Sequence, residues 1–233
     1  MKQALITGGA RGIGFGIAEA MLAAGYQVTV TGLTEAEVAA VPKRDHLRPV
    51  RLDVTSDSDV AACIARLTRL DALVNSAGTV LRDGKEFTVA GFQKVIDFNL
   101  TGTMRMCVAA KPLLEKQGGA IVNIASIWSF FGGGLVPAYT ASKGGVAQLT
   151  KALAVAWAPT IRVNAIAPGW IETALSKPAK DDTARSDAIV SRTPFGRWGK
   201  PDDIGGAAVF LCSEAAGFIT GTVLPVDGGY TAK

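Results

Sequence analysis

Thr7 to Gly14 reads TGGARGIG, and it sits between the short apolar run QALIT (residues 3–7) and the helical pattern GIGFGIAEAMLAAG (residues 12–25). A strand that turns through glycines directly into a helix is the start of a βαβ unit. The glycines allow the tight turn and let a phosphate approach the backbone, where the free N–H groups and positive end of the helix receive its charge. The spacing, with Gly8, Gly12 and Gly14, is G-x-x-x-G-x-G, and the helix begins near Ile13. No Gly-Lys-Ser/Thr follows, which excludes a P-loop.

Outward from this loop the chain alternates β-branched runs with helical stretches to its end. QVTVTG (27–32), LRPVRLDV (47–54), DALVNSAG (71–78), GAIVNIAS (119–126), TIRVNAIAPG (160–169) and GTVLPVDGG (221–229) read as further strands, apolar on both faces. Helical patterns lie between them at 34–41, 57–70, about 89–116, 138–158 and 201–213. Strands joined by crossover helices give an α/β fold: a Rossmann-like, doubly wound parallel sheet of about seven strands with helices on both faces. No linker or repeat interrupts it, so residues 1–233 are expected to form one domain. The stretch at about 172–200, rich in Lys, Asp, Ser and Pro, is the one long irregular insert and is expected to be a substrate or lid loop.

Of the 233 residues 48% are hydrophobic and 19% charged, enough for a full-sized core. The 24 basic and 20 acidic residues give a net charge of +4 without a basic run, which argues against nucleic acid as a partner. Cys63, Cys107 and Cys212 are far apart and are expected to be buried thiols in a reducing compartment; no metal site is expected. MKQALIT has too short an apolar run for a signal peptide, so the expected location is cytoplasmic. The uncharged stretch between Lys116 and Lys143 is long enough to span a bilayer, but its Asn, Ser, Gly and Pro residues favour a buried strand and loop over a membrane segment.

In such a sheet, ligands bind at the carboxyl ends of the strands. YTASK, beginning a helical pattern there, sets Tyr139 and Lys143 four residues apart on one helix face. A phenol can move a proton near neutral pH only if its pKa falls from about 10, and a neighbouring ammonium favours that. The sole histidine, His46, lies in a loop ahead of the third strand, which disfavours a histidine relay.

TGGARGIG, NSAG, a downstream serine, YTASK, PG and the terminal VDGG, in this order over nearly the whole chain, resemble the short-chain dehydrogenase/reductase family. The resemblance implies an NAD(P)-dependent oxidoreductase that interconverts a secondary alcohol and a ketone by hydride transfer. It implies Tyr139 as acid/base, Lys143 as pKa modulator and ribose ligand, Ser126 as donor to the substrate oxygen, and Asn99 as proton-relay support. Gly8, Arg11, Gly12, Ile13 and Gly14 would cradle the dinucleotide, and Asp53 and Val54 would meet the adenine. Asn75, Ala77 and Gly78 would pack beside the adenosine ribose and the central sheet. Pro168, Gly169, Ile171 and Thr173 would orient the nicotinamide carboxamide, and Tyr139 and Lys143 would also touch the cofactor. Ser76 departs from the more usual second asparagine. Two plain structural readings stand beside these: Asp53 as a turn cap and Asn75 as a hydrogen-bonding residue at a bend.

Cofactor choice is read at the end of the second strand, where Gly32 stands in place of an acid and Leu33 in place of an arginine. Both NAD and NADP are expected to bind, with a slight lead for NAD, and an aspartate introduced at Gly32 is expected to drive preference to NAD. Positions that hold a carboxylate in members acting on 3-hydroxybutyrate are Val80, Trp128 and Val136 here. With Phe130, Phe131 and Trp170, they suggest an apolar or uncharged polar alcohol or ketone as substrate. Apolar helical segments at 89–116 and 146–158 suggest a homo-oligomer, a tetramer or a dimer. The rival from another class is a catalytically silent NAD(P)-sensing protein, which would not need the full Asn99, Ser126, Tyr139 and Lys143 set.

Overall fold

The computed structural model describes residues 1–233. Seven parallel strands form one sheet: β1 (Gln3–Thr7), β2 (Gln27–Gly32), β3 (Leu47–Arg51), β4 (Ala72–Asn75), β5 (Ala120–Ile124), β6 (Arg162–Pro168) and β7 (Val223–Val226), in the order β3-β2-β1-β4-β5-β6-β7. Every run read as a strand is one. Both faces of the central strands are covered, which is why they carry no apolar/polar alternation.

Successive side chains nevertheless part to opposite sides, as the pleat requires. Ala4, Ile6, Ala72, Val74 and Val122 join one core cluster with Ile17 and Met21 of α1 (Gly12–Ala23). Leu5, Leu73 and Ile121 join the other, beneath the helices of the opposite face. Those helices are α3 (Asp57–Ala65), α5 (Gly102–Glu115) and α6 (Pro137–Trp157); α2 (Glu35–Ala39) is a short turn of helix after β2, and α4 (Val89–Ile96) precedes α5. The last crossover helix, α9 (Asp202–Cys212), returns to pack on α1. Small residues let those two meet: a Cβ on Gly205 would lie 2.6 Å from the Ala20 Cβ.

Two features differ from the sequence reading. The pattern at 89–116 is interrupted by a π turn, Asp97–Thr101, so α4 and α5 are two α segments out of register. Such widened turns often occur at functional positions, and Asn99 lies in this one. The insert at 172–200 is not irregular: it folds into α7 (Lys177–Asp181) and α8 (Thr183–Arg192). The Asp182 side chain caps α8 by accepting from the Arg185 N–H at 3.1 Å, and Ala179, Ile189 and Trp198 form a small core under the pair. The uncharged stretch after Lys116 is β5 followed by a short 3₁₀ turn and loop, and no helix is long and apolar enough to cross a membrane. His46 is exposed in its loop, and the three cysteines are free and buried.

Candidate active site

The strand order reverses direction at β1, whose neighbours are β2 and β4, so a crevice opens above their carboxyl ends. The glycine loop fills one side of it. α1 starts at Gly12 with Arg11 as its N-cap, extended and without a side-chain cap, and its first turn holds no acid. Its leading N–H groups are thus open to an anion. The loop is packed tightly below: a Cβ on Gly14 would lie 2.5 Å from the Gly8 carbonyl oxygen, and one on Gly8 would lie 2.8 Å from the Ala77 Cα. Above Gly12, at φ 57°, the Thr173 side chain comes near, its Cγ2 3.5 Å from where a Cβ would be. This bare, donor-lined cradle fits a dinucleotide pyrophosphate.

α6 supplies Tyr139 and Lys143 from its first two turns. Lys143 is buried and its Nζ donates to the Ile124 carbonyl at the end of β5, at 2.6 Å; it lies 5.7 Å from the centre of the Tyr139 ring. Asn99 joins three elements: its Oδ1 accepts from the Thr79 N–H at 2.8 Å, and its Nδ2 donates to the Thr79 carbonyl at 2.9 Å and to the Ser142 hydroxyl at 3.0 Å. Ser142, wholly buried, donates in turn to the Tyr139 carbonyl. It braces the helix. Ser126 caps a 3₁₀ turn, Ile127–Ser129, and its hydroxyl accepts from the Trp128 N–H at 3.2 Å.

The charges in this cluster do not follow the sequence expectation. Burial pushes the Tyr139 phenol up to about 12, the nearby Ser126 hydroxyl pulls the other way, and the Glu86 carboxylate adds to the rise. Lys143 falls to about 8, again by burial. Within the protein alone, burial and the Glu86 charge therefore outweigh the Ser126 hydroxyl at the phenol. Tyr139 is still partly accessible, because its side chain borders a cavity of about 700 Å³.

Ile13, Ser126, Trp128, Tyr139, Pro168, Gly169, Trp170, Ile171 and Thr173 all border that cavity. Val80, Trp128 and Val136 are apolar walls as read, yet a cation is present after all. Arg82 and Arg185 both line the cavity, and neither forms an ion pair. Arg82 donates to the Leu175 carbonyl, while the Arg185 guanidinium lies 5.6 Å from the centre of the Trp170 ring. The expectation of an apolar wall without a cation is thus corrected: the arginines lie outside the motifs, on the loop after β4 and on α8.

Other expected positions divide. The Ala77 N–H donates to the Thr7 hydroxyl at 3.1 Å and Ala77 packs under the glycine loop, and Gly78 lies over the Lys143 Nζ, 3.6 Å from where its Cβ would be. Asn75 is buried, and its Nδ2 donates to Asn123 at 2.9 Å and to the Cys107 sulfur at 3.3 Å. Its side chain thus does what the plain structural reading gave it, bonding across the sheet. The Asp53 carboxylate accepts from the Thr55 N–H and hydroxyl at 2.9 and 2.7 Å, which is the turn-capping alternative, and Val54 packs on Gly102. Leu33 is exposed at the end of β2, with its N–H bonded to Glu37.

Two acids escaped the sequence reading. Glu86, 1% exposed, accepts the Tyr139 N–H with one oxygen and the Leu81 N–H with the other, each at 2.9 Å. Glu37 lies beside the glycine loop and bonds Arg11. Nothing local marks either; each acts on a residue brought to it by the fold.

Comparison with known proteins agrees with this geometry. A family profile described as enoyl-(acyl carrier protein) reductase matches residues 8–231. The chain is 43% identical to the 2-dehydro-3-deoxy-D-gluconate 5-dehydrogenase of Bacillus subtilis, over 100% of this chain and 95% of that one. It is 39% identical to the D-threitol dehydrogenase of Mycolicibacterium smegmatis, over 100% of this chain and 94% of that one. Among solved structures, a gluconate 5-dehydrogenase from Burkholderia cenocepacia in complex with NADP and tartrate superposes with a TM-score of 0.93 at 36% identity, covering 100% of this chain and 96% of that one. Sheet order, glycine loop, the Ser126, Tyr139 and Lys143 cluster and these relatives converge: the chain belongs to the short-chain dehydrogenase/reductase family.

Proposed function

We propose that this NAD(P)-dependent oxidoreductase acts on a polyhydroxy acid of the hexonate class, interconverting one secondary alcohol and the corresponding ketone as in 2-dehydro-3-deoxy-D-gluconate. One observation carries the reading: the cavity lined by Ser126 and Tyr139 is also lined by the Arg185 guanidinium, which has no ion-pair partner and suits a substrate carboxylate.

The roles assigned to the chain's residues are part of the proposal. The nicotinamide ring, when bound, supplies the hydride acceptor and, in its oxidised form, a positive charge beside the phenol. Tyr139 takes the carbinol proton in oxidation and returns it in reduction. Ser126 donates to the substrate oxygen and holds it at the phenol. Lys143 holds the ribose hydroxyls, and Asn99 fixes the π turn and the loop after β4. The glycine loop, Ile13 and Thr173 hold the pyrophosphate and carboxamide ends. Substrate closes in under α7 and α8, which act as its cover, with residues 1–233 folding as one domain.

Both NAD and NADP are taken, with a slight lead for NAD. A cytoplasmic location belongs to the same reading, and a homotetramer is supported by the exposed apolar side chains of Phe92, Met104, Val108 and Val155 along α4, α5 and α6.

The test is a rate comparison by nicotinamide absorbance, with 2-dehydro-3-deoxy-D-gluconate and gluconate against neutral threitol and fucose, each with NAD and NADP. Higher kcat/KM for the acids is the expected result. A clear preference for the neutral polyols would sink the reading.

A further inference from the structure

β2 ends at Gly32, without the acid that would meet the ribose hydroxyls of NAD. The space is already taken. A Cβ on Gly32 would lie 2.9 Å from the Glu37 Cβ and 3.2 Å from the Ala10 Cβ. Glu37 reaches back from α2 across the strand end, and its carboxylate is bound there at two points: Oε2 accepts the Leu33 N–H at 2.7 Å, and Oε1 accepts the Arg11 Nε–H at 2.9 Å.

These two donors come from the two sides of the adenosine end of the crevice. Leu33 follows β2, and Arg11 is the N-cap of α1, at the mouth of the glycine loop. A backbone N–H and a guanidinium converging on one point make an anion site, and here an anion of the protein fills it. We propose that Glu37 is the residue that sets the choice between NAD and NADP: its carboxylate holds the place a ribose 2′-phosphate would take and offers its remaining lone pairs to ribose hydroxyls.

Charge and exposure agree with this. Burial alone would raise the Glu37 carboxyl, but the Leu33 N–H and the Arg11 guanidinium outweigh it and hold the group below the usual carboxylate range. It is ionised at neutral pH. A 2′-phosphate would meet a like charge and would have to compete for both donors. The Arg11 side chain is 61% exposed, and only its Nε is engaged, so both Nη groups stay free. Freed from Glu37, the same guanidinium would serve a phosphate. An ion pair this exposed contributes little to stability, so its position beside the cofactor cradle is the more informative fact. Gly32 belongs to the same arrangement, since only a residue without a Cβ leaves room for the Glu37 stem.

Intrinsic cofactor affinity, read by fluorescence titration of the purified protein with NADH and NADPH, tests the proposal without turnover. Glu37→Gln should lower the ratio Kd(NADPH)/Kd(NADH) at least tenfold, chiefly through tighter NADPH. Adding Arg11→Ala to Glu37→Gln should abolish that gain, and Arg11→Ala alone should raise the ratio above wild type. If Glu37 only braces the turn between β2 and α2, Glu37→Gln lowers thermal stability and leaves the ratio within twofold of wild type, and the proposal is overturned. Should Glu37→Gln not fold, Arg11→Ala decides alone: a ratio that does not rise overturns it.

Discussion

The Glu86 carboxylate accepts the backbone N–H of Tyr139 at 2.9 Å, from a position 53 residues earlier in the chain. α6 begins at Pro137 with no side-chain cap of its own, so this buried acid supplies both the missing acceptor and a negative charge at the positive end of the helix. The same charge raises the phenol it anchors. Glu86→Gln should therefore have two effects: a loss of about 1–3 kcal/mol in denaturant unfolding, and a shift of the acid limb of the alcohol-oxidation pH profile to lower pH. A limb that stays in place would show that Glu86 is felt only through the backbone.

Tyr139→Phe keeps the ring and removes the proton. Turnover should fall by roughly 10²–10⁴-fold, while NADH titration gives an affinity near that of wild type. Lys143→Met should weaken cofactor binding as well, because the ammonium is assigned to the ribose. Substantial activity in Tyr139→Phe would transfer the proton role to another group at this sheet edge.

Lys143 also makes a stability prediction whose sign is opposite to that of an ordinary ion pair. Its pKa falls from 10.5 to about 8 on folding, so the unfolded chain binds more protons between those values and stability rises with pH across that window. Below about pH 8 the full penalty of a buried ammonium is present, roughly 3 kcal/mol, offset in part by its bond to Ile124. Lys143→Met should thus be more stable than wild type at pH 7, by about 1–2 kcal/mol after the lost hydrogen bond is deducted, and this advantage should vanish above pH 10.5. Chemical denaturation at the two pH values measures it; equal stability at pH 7 would mean that water reaches the ammonium.

If Arg185 receives the substrate carboxylate, Arg185→Met should raise KM for a hexonate about tenfold or more, the scale of a charged hydrogen bond, with a smaller change in kcat. The KM for a neutral polyol should be nearly unaffected. Equal losses on both substrates would mean that Arg185 supports the fold of α8, not the ligand.

The strands could be read because parallel strands buried on both faces are unbroken β-branched runs, and the Tyr139 and Lys143 pair could be read because four residues make one helical turn. The glycine loop was legible for a similar reason: its meaning is local. The π turn at Asp97–Thr101 was not, since one widened turn leaves the apolar pattern of a long helix nearly intact. α7 and α8 were hidden by their composition, with few apolar residues and only Ala179 and Ile189 fully covered. Glu37, Glu86 and Arg185 were missed because each matters only through a residue from another element. Gly32 shows the cost: its sequence suggested room for an aspartate, and the structure fills that room with Glu37, so Gly32→Asp is now expected to destabilise the strand end and disturb its carboxylate.

Three of the four tryptophans touch in series. Trp128 meets Trp170 edge-on with ring centres 6.0 Å apart, and Trp170 meets Trp198 at 5.6 Å. Trp128 and Trp170 border the cavity beside Tyr139, and Trp198 is bonded to Ser186 of α8. Indoles this close couple their excited states, so the protein carries an optical signal that runs from the cavity to the two helices above it. Near-ultraviolet circular dichroism and tryptophan emission will respond to a ligand seated against Trp128 or Trp170 without any label, and Trp157, far along α6, contributes a constant background against which that response is read.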